Sequence, residues 1–157
     1  SILWSEAAML KKDLTTSFPR SVHAQVLGVV QVARAIDKGI AFANGTNGEY
    51  NYDCPMDKGT FAFLALDGAE LLEVIKKAQS EAAIEAYLAP FVAKKSAEEI
   101  AAFNAEMVSD GPEAGSPGEQ YFLNLRNSLD ASRTDITAWA DLLDLDEKRV
   151  VPKRVAA

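Results

Sequence analysis

Apolar residues recur at intervals of three and four along most of the chain, which is the spacing of a helix with one buried face. The first run predicts a long helix that starts after Ser21, a residue suited to capping free amide groups, and that frays near Asn44-Gly45. Its apolar positions are Val22, Val26, Val29, Val30, Ala33, Ile36 and Ile40.

Capping residues mark the predicted starts of the later helices. Pro55 suits the first turn of a short helix through Leu64, since proline lacks an amide that would go unpaired there. Further helices are predicted after Asp67, Ser80 and Ser96, with Pro90 expected to kink or end the second of these three. Beyond the breaker-rich segment 110–118, a mobile connection, one helix is expected around residues 121–129 and another starting at Thr134 or Asp135.

Strand character is confined to residues 48–53, where a glycine-rich turn leads into a brief alternation. We therefore expect an all-α fold, an irregular bundle of about five to seven helices with at most one short strand pair near residues 48–53. The 157 residues suit a single helical domain, 1–157, in which segments 1–12 and 150–157 are loosely ordered tails.

Charge and composition narrow the function. Sixteen Lys and Arg against 23 Asp and Glu give a net charge of -7, which disfavours nucleic acid and anionic membrane as partners. Apolar runs are too short to span a membrane, and no export signal is expected. Cys54 is the only cysteine, so no disulfide within the chain is possible and a cytoplasmic location is predicted.

Asp37 is the first candidate for chemistry. It follows Val30 by seven residues and Val26 by eleven, which places its carboxylate on or beside the apolar stripe, three residues after Arg34. Burial raises the pKa of a carboxyl group whereas a neighbouring arginine lowers it, a balance common where a carboxylate exchanges protons. The alternative is a purely structural ion pair with Arg34.

The loop after the first helix concentrates hydrogen-bonding side chains. Glu49, Tyr50, Tyr52 and Asp53 fall within five positions, so Glu49 and Tyr50 are candidate catalytic residues while Tyr52 and Asp53 are candidates for substrate binding. The competing interpretation is that the tyrosines pack at the edge of the core and the carboxylates cap the helix after them.

Cys54 precedes Pro55 at a predicted helix start, where a thiolate would be stabilised. A nucleophilic cysteine usually needs a histidine base, and the only histidine, His23, belongs to the distant start of the first predicted helix. We therefore expect Cys54 to be structural and assign His23 to substrate binding, together with Arg133 and Trp139. For Trp139 the alternative is a place in the core, and for Arg133 an ion pair with a nearby carboxylate.

Metal and nucleotide motifs are missing from the sequence. With one histidine and one cysteine, metal binding would have to rest mainly on carboxylates, and the sequence contains no calcium-binding helix-loop-helix pattern, no glycine-rich dinucleotide motif and no phosphate-binding loop. We therefore expect no metal and no cofactor.

Four segments carry a resemblance to a known family. They read DLTTSFPRS at 13–21, ARAIDK at 33–38, GEYNYDCPMD at 48–57 and RTDITAWADLLDLD at 133–146. In these segments the chain resembles the uncharacterised bacterial domain of unknown function 5069, a likeness that extends over nearly the whole length and implies no particular reaction. Segment 22–28, Gly39 and Asn47 depart from the family pattern, so a ligand shared by relatives is not implied for this chain.

Together these features predict a small-molecule enzyme or ligand-binding domain. The expected reaction is cofactor-independent acid–base chemistry of the lyase, dehydratase or isomerase type, with Asp37, Glu49 and Tyr50 as catalytic residues and Arg34 orienting the substrate. The alternative is a non-catalytic helical module for protein interaction or self-association, and a homo-oligomer is compatible with either.

Overall fold

The computed structural model describes residues 9–154, so the expectation of loose tails falls partly outside the described residues. Within that range the fold is mostly helical, as predicted, with seven helices and one short strand pair. The strands are β1 (Gln25–Val26) and β2 (Val29–Val30). The helices are α1 (Val32–Asn44), α2 (Pro55–Leu64), α3 (Gly68–Lys77), α4 (Glu81–Ala93), α5 (Ala97–Ser109), α6 (Pro117–Asp130) and α7 (Trp139–Asp146).

The strand pair lies in the region where the sequence predicted the start of the first helix. β1 and β2 are antiparallel, with Val26 opposite Val29. The two residues between them, Leu27 and Gly28, both have positive φ, 54° and 82°, which is the backbone geometry of a tight hairpin. The prediction of a helix from Ser21 was therefore wrong, and so was the prediction of a strand pair near residues 48–53. Buried valines at 22, 26, 29 and 30 fit helical spacing and a short hairpin equally well.

Helix α1 is the centre of the molecule. All ten residues from Val32 to Ala41 are buried, including Arg34, Asp37 and Lys38. The predicted end near Asn44-Gly45 is confirmed, because Gly45 adopts φ 75° and closes the helix with bonds to Ala41 and Phe42 carbonyls. A helix buried on all sides must find partners for every charge that it carries.

Helix α3 approaches α1 closely. A Cβ added to Gly39 would lie 2.7 Å from Ile75 Cδ1 and 3.2 Å from Tyr52 Cε1, so no larger residue fits without displacing its neighbours. Glycine at position 39 therefore allows a tight contact between α1 and α3.

The predicted caps of the middle helices are confirmed. Asp67 accepts the Ala69 amide at 2.8 Å, Ser80 accepts the Ala83 amide at 3.2 Å, and Ser96 forms a capping box with Glu99. Helix α4 continues to Ala93 with Pro90 inside it. The last helix is an exception: it begins at Trp139, because residues 133–138 form turns first.

Two apolar clusters fill the interior. The larger joins the hairpin, α1, α2, α3 and α4, and the smaller joins α6, α7 and Val151. Helices α5 and α6 both contact α7, and α5 also contacts β2. No helix between residues 9 and 154 is long and apolar enough to cross a bilayer.

Candidate functional site

An open groove of about 1180 Å³ lies between α1, the loop at residues 49–54, and helices α2, α5 and α7. One wall is apolar and partly aromatic, and its side chains are Met56, Phe63, Phe103, Met107, Trp139 and Leu143. Phe63 and Phe103 stack with their ring centroids 4.3 Å apart, which joins the α2 and α5 sides of this wall.

Three polar side chains, those of Gln31, Lys38 and Cys54, line the end of the groove against α1. The buried Asp57 does not line the groove but bonds to Gln31 and Lys38, and we call these four residues the groove floor. Lys38 Nζ lies 2.7 Å from Asp57 Oδ2. It also donates to the Asn51 carbonyl at 3.0 Å and to Cys54 Sγ at 3.1 Å. The three hydrogens of the ammonium group are thus directed at three partners, one of which is the only thiol of the chain.

Asp57 owes its position to the start of α2. Its Oδ2 accepts the backbone amides of Asp53 at 3.0 Å and Cys54 at 3.3 Å, while Cys54 faces the Asp57 amide in a capping box. Pro55 follows as the first helical residue. The cap that begins α2 therefore fixes the Cys54 sulfur and the Asp57 carboxylate on either side of Lys38.

Gln31 is the unsatisfied member of the groove floor. Its Nε2 donates to Asp57 Oδ1 at 2.8 Å, but its Oε1 is buried without a partner, the one such side-chain oxygen or nitrogen between residues 9 and 154. Its backbone is also unusual for a non-glycine residue, with φ 69° just before α1. A buried acceptor without a donor and a strained backbone therefore occur in the same groove-lining residue.

A second set of charged groups connects α1 to the end of α7, and we call it the paired network: Arg20, Arg34, Asp37, Glu147 and Arg149. Arg34 and Glu147 are its members that line the groove. Arg34 binds Glu147 through two bonds, of 2.9 and 2.6 Å, and Tyr50 donates its hydroxyl hydrogen to Glu147 Oε2 at 2.8 Å. Arg149 binds the other Glu147 oxygen. Every charged group in this set has an opposite charge within bonding distance.

These contacts determine whether Tyr50 and Glu147 are protonated. Burial, together with the hydrogen bond to Glu147, raises the pKa of Tyr50, so its hydroxyl stays protonated and acts as a donor. Burial alone would raise the pKa of Glu147, but the bonds from Arg34 outweigh it and hold that pKa below its usual value. Glu147 is therefore a carboxylate at neutral pH.

The mouth of the groove is acidic. Four exposed carboxylate side chains line it, those of Glu49, Glu106, Asp110 and Asp146. Arg34 and Lys38 are the cationic residues among the lining side chains, and both are already bound to carboxylates. The entrance thus presents negative charge, which repels anions and attracts cations.

The predicted site residues divide into two groups. Arg34, Glu49, Tyr50 and Trp139 line the groove. Asp37 does not line it; its carboxylate accepts the Arg20 amide at 2.8 Å and the Arg20 guanidinium at 3.0 Å, with Lys12 Nζ 3.5 Å away. The burial expected for Asp37 is found, but its neighbours are basic groups of the scaffold.

The remaining predicted residues bind elsewhere. Tyr52 donates to the Gly68 carbonyl at 2.7 Å, Asp53 pairs with Lys58 at 3.0 Å, and Arg133 pairs with Asp135 at 2.9 Å. None of the three lines the groove. Arg133 makes the ion pair that was the alternative to a binding role.

His23 lies before β1 and not on α1, so it does not share a helical face with Arg34. Its Nε2 is 3.0 Å from Asp141 Oδ1, and Asp144 completes a group whose ligand atoms lie within 4.8 Å of one another. Arg154 binds Asp141 and Arg149 binds Asp144, so arginines already supply positive charge to both carboxylates.

Three groove residues, Gln31, Lys38 and Glu147, were not predicted from the sequence, and neither was Asp57, which bonds to the first two. Lys38 follows Gln31 by seven positions and Arg34 by four. This spacing places the three side chains on one face of a helix, so their proximity could have been predicted from the sequence. The Cys54-x-x-Asp57 spacing is that of a capping box, which also gave a signal. Glu147 gave none, because it lies 113 residues from its partner Arg34.

Comparison with known proteins defines the family and adds no activity. No curated protein matches the chain. The model of the domain of unknown function DUF5069 matches residues 16–149. That span includes the hairpin, all seven described helices and the whole groove lining. Because the match covers far more than half of the sequence, the chain belongs to the DUF5069 family.

Proposed function

We propose that this protein binds a small organic molecule in the groove, as an enzyme or a ligand-binding domain that needs no cofactor. The ligand has an apolar body and a hydrogen-bond donor, and it carries no net negative charge. The observation that carries this proposal is the unpartnered Oε1 of Gln31 in a residue that lines the groove.

A buried acceptor without a donor costs about 1–3 kcal/mol. Gln31 adds the cost of a left-handed backbone conformation, φ 69°, which a non-glycine residue keeps only when its surroundings impose it. A ligand that donates a hydrogen bond to Oε1 would remove the first cost on binding. Amide, hydroxyl and ammonium groups can all supply such a bond.

The side chains that line the groove indicate the polarity and the charge of the rest of the ligand. The aromatic and methionine side chains, among them Phe63, Phe103 and Met107, offer an apolar surface to a body of matching character. Exposed carboxylates at the mouth disfavour an anion. Because Arg34 and Lys38 are bound to Glu147 and Asp57, neither provides a free cation for an anionic ligand.

The acid–base chemistry expected from the sequence stays part of this proposal in reduced form. Of its three catalytic residues, Glu49 and Tyr50 line the groove and Asp37 does not. A lyase, dehydratase or isomerase would therefore use Tyr50 as hydrogen-bond donor and Glu49 as base. We expect a bacterial, cytoplasmic protein with no nucleic-acid partner, in keeping with its net charge of -7.

A ligand screen by thermal shift, followed by calorimetry, tests the proposal. The library contains neutral and cationic compounds with aromatic or aliphatic bodies, each with a carboxylate analogue. We expect hits among the neutral and cationic members, since a bound ligand stabilises the folded state by mass action.

Gln31→Met tests the role of the unpartnered Gln31 oxygen, because methionine keeps the length and shape of the side chain but removes the acceptor. We expect it to weaken binding of the hits about tenfold, the loss of one buried hydrogen bond. Gln25→Met, an exposed position in β1, is the matched control and should leave the affinity unchanged. Equal binding to both variants, or stabilisation by anionic compounds alone, would refute the proposal. Oligomerisation with no hit in the screen would support the interaction module instead.

A further inference from the structure

We propose that Cys54 is a nucleophile that forms a covalent bond to the bound ligand, with Lys38 as its proton-exchanging partner and Asp57 holding Lys38 in place. The inference rests on the proposed function, because it needs a ligand in the groove. It assigns that ligand to the class of small uncharged carboxamides.

The geometry is that of a nucleophile, a base and an orienting group. Cys54 Sγ lies 3.1 Å from Lys38 Nζ, which lies 2.7 Å from Asp57 Oδ2. Reactive cysteines occur beside a basic residue or at a helix start, and Cys54 has both surroundings. A structural thiol was expected from the sequence because the one histidine, His23, is distant along the chain, and that histidine is bound to Asp141. Lys38 supplies the missing partner.

Three observations place this sulfur in a site rather than in the core. Cys54 is only partly buried and lines the groove. Lys38 and Asp57 are almost completely buried, so their positions relative to the sulfur are fixed by packing. Gln31, linked to Asp57 at 2.8 Å, carries the unpartnered acceptor of the same floor.

The substrate class follows from that acceptor. A carboxamide offers a carbonyl carbon to the sulfur and an N–H to Gln31 Oε1, while its apolar substituent lies against the aromatic wall. A carboxylate of the same size lacks the donor and meets the acidic mouth. The single unpartnered acceptor and the absence of a free cation among the lining side chains therefore favour a carboxamide over a carboxylate.

The reaction balances with water alone. Cys54 attacks as the thiolate beside the Lys38 ammonium: the S–C bond forms, the C–N bond breaks, and the leaving nitrogen takes a proton from Lys38. Water then attacks the thioester and gives a proton to neutral Lys38. The C–S bond breaks, and a carboxylic acid leaves the thiolate–ammonium pair restored.

Alkylation followed by intact-mass measurement is the first test. Iodoacetamide, a small uncharged carboxamide, should modify Cys54 at pH 7 at least tenfold faster than it modifies glutathione. Iodoacetate, its anionic counterpart, should show no such advantage. Lys38→Met should abolish the advantage, and Lys58→Met, an exposed lysine on the same helix as Asp57, should keep it. A rate no greater than that of glutathione overturns the proposal, as does a fast rate that survives in folded Lys38→Met.

Lys38→Arg covers the case in which Lys38→Met does not fold, because it keeps a positive charge beside Asp57. Acylation with 4-nitrophenyl acetate should leave a transient acetyl adduct on Cys54 of the parent. A guanidinium group does not give up its proton, so Lys38→Arg should hydrolyse that adduct at least a hundredfold more slowly. Equal hydrolysis rates overturn the role of Lys38.

Failure of this inference is distinguishable from failure of the proposed function. The shift in melting temperature caused by unreactive carboxamides measures binding in the groove, and this measurement does not depend on the reactivity of the sulfur. Shifts with an unreactive Cys54 leave the proposed function standing and remove the nucleophile. A reactive Cys54 with no carboxamide shift removes the substrate class and overturns the inference as stated.

Discussion

The paired network and the groove floor both include charged side chains of α1, Arg34 and Asp37 in the first and Lys38 in the second, and they differ in how completely their hydrogen bonds are satisfied. In the paired network, Asp37 accepts from the amide and guanidinium of Arg20, and Glu147 accepts from Arg34, Arg149 and Tyr50. In the groove floor, the Gln31 oxygen has no partner. The charged groups of the paired network are all paired with one another. The groove floor keeps one unpaired acceptor, in a residue that lines the groove.

That difference separates the roles of two sets of buried charges. A buried charge is tolerated only with partners, so a closed network ties distant segments of the chain together. Arg34 joins α1 to the end of α7, and Arg20 joins the first segment to both α1 and α4 through Asp37 and Glu81. A group of polar side chains with an unpaired acceptor can still form a hydrogen bond to a ligand. Burial of Asp37 therefore argues for the scaffold, while incomplete pairing at Gln31 argues for the site.

Glu147→Gln should have the largest effect on stability. The substitution leaves the Arg34 guanidinium buried without its countercharge, which costs about 3–5 kcal/mol. A loss of that size lowers the melting temperature by about 10 °C in a chain of this length. Urea unfolding measures the free energy directly. Glu113→Gln, at an exposed position, is the control and should change it by less than about 0.5 kcal/mol. A Glu147→Gln protein as stable as the parent would show that the network is not structural.

Asp37→Asn should have the next largest effect, again on stability. One charged acceptor of Arg20 is lost from a fully buried position, and we expect a cost of about 2–3 kcal/mol. Ligand affinity in the groove should change less than about twofold, because Asp37 does not line it. Unfolding by urea and calorimetry with a groove ligand distinguish the two outcomes. A stable Asp37→Asn protein that has lost turnover would instead restore Asp37 as the catalytic base.

Acid should weaken the paired network through Glu147. The pKa of this carboxyl is lowered in the folded state, so its contribution to stability is complete above its unfolded pKa of about 4.3. The contribution is lost as the pH falls from there through the folded pKa, because the folded protein then takes up the proton that the unfolded chain already holds. The free energy of unfolding of the parent should therefore fall more steeply below about pH 4.3 than that of Glu147→Gln. Parallel curves would mean that Glu147 titrates alike in both states.

Local signals in the sequence were sufficient for most of the fold. Asp67, Ser80 and Ser96 each bond to amides two or three residues away, so their caps could be predicted from neighbouring residues alone. The start of α1 was mispredicted because the chain turns at Leu27 and Gly28 in place of continuing a helix. Leu27 has a left-handed backbone there, and a leucine side chain does not predict that conformation. The candidate site was predicted in part: Glu49 and Tyr50 are on a loop that reaches the groove, whereas Lys38 was not among the predicted site residues.

The sequence by itself determined the family, through motifs spread over most of the chain. It also determined the helical class, the acidic charge and the burial of Asp37, since these depend on composition or on spacing within a few turns. Only the tertiary structure decided which charges meet. Gln31 finds Asp57 at a separation of 26 residues, and Arg34 finds Glu147 at 113. Such pairs form because packing of the apolar faces brings distant segments together, and a buried charge or amide must then bond to whatever group lies beside it. The same packing left the oxygen of Gln31, a residue that lines the groove, buried without a donor.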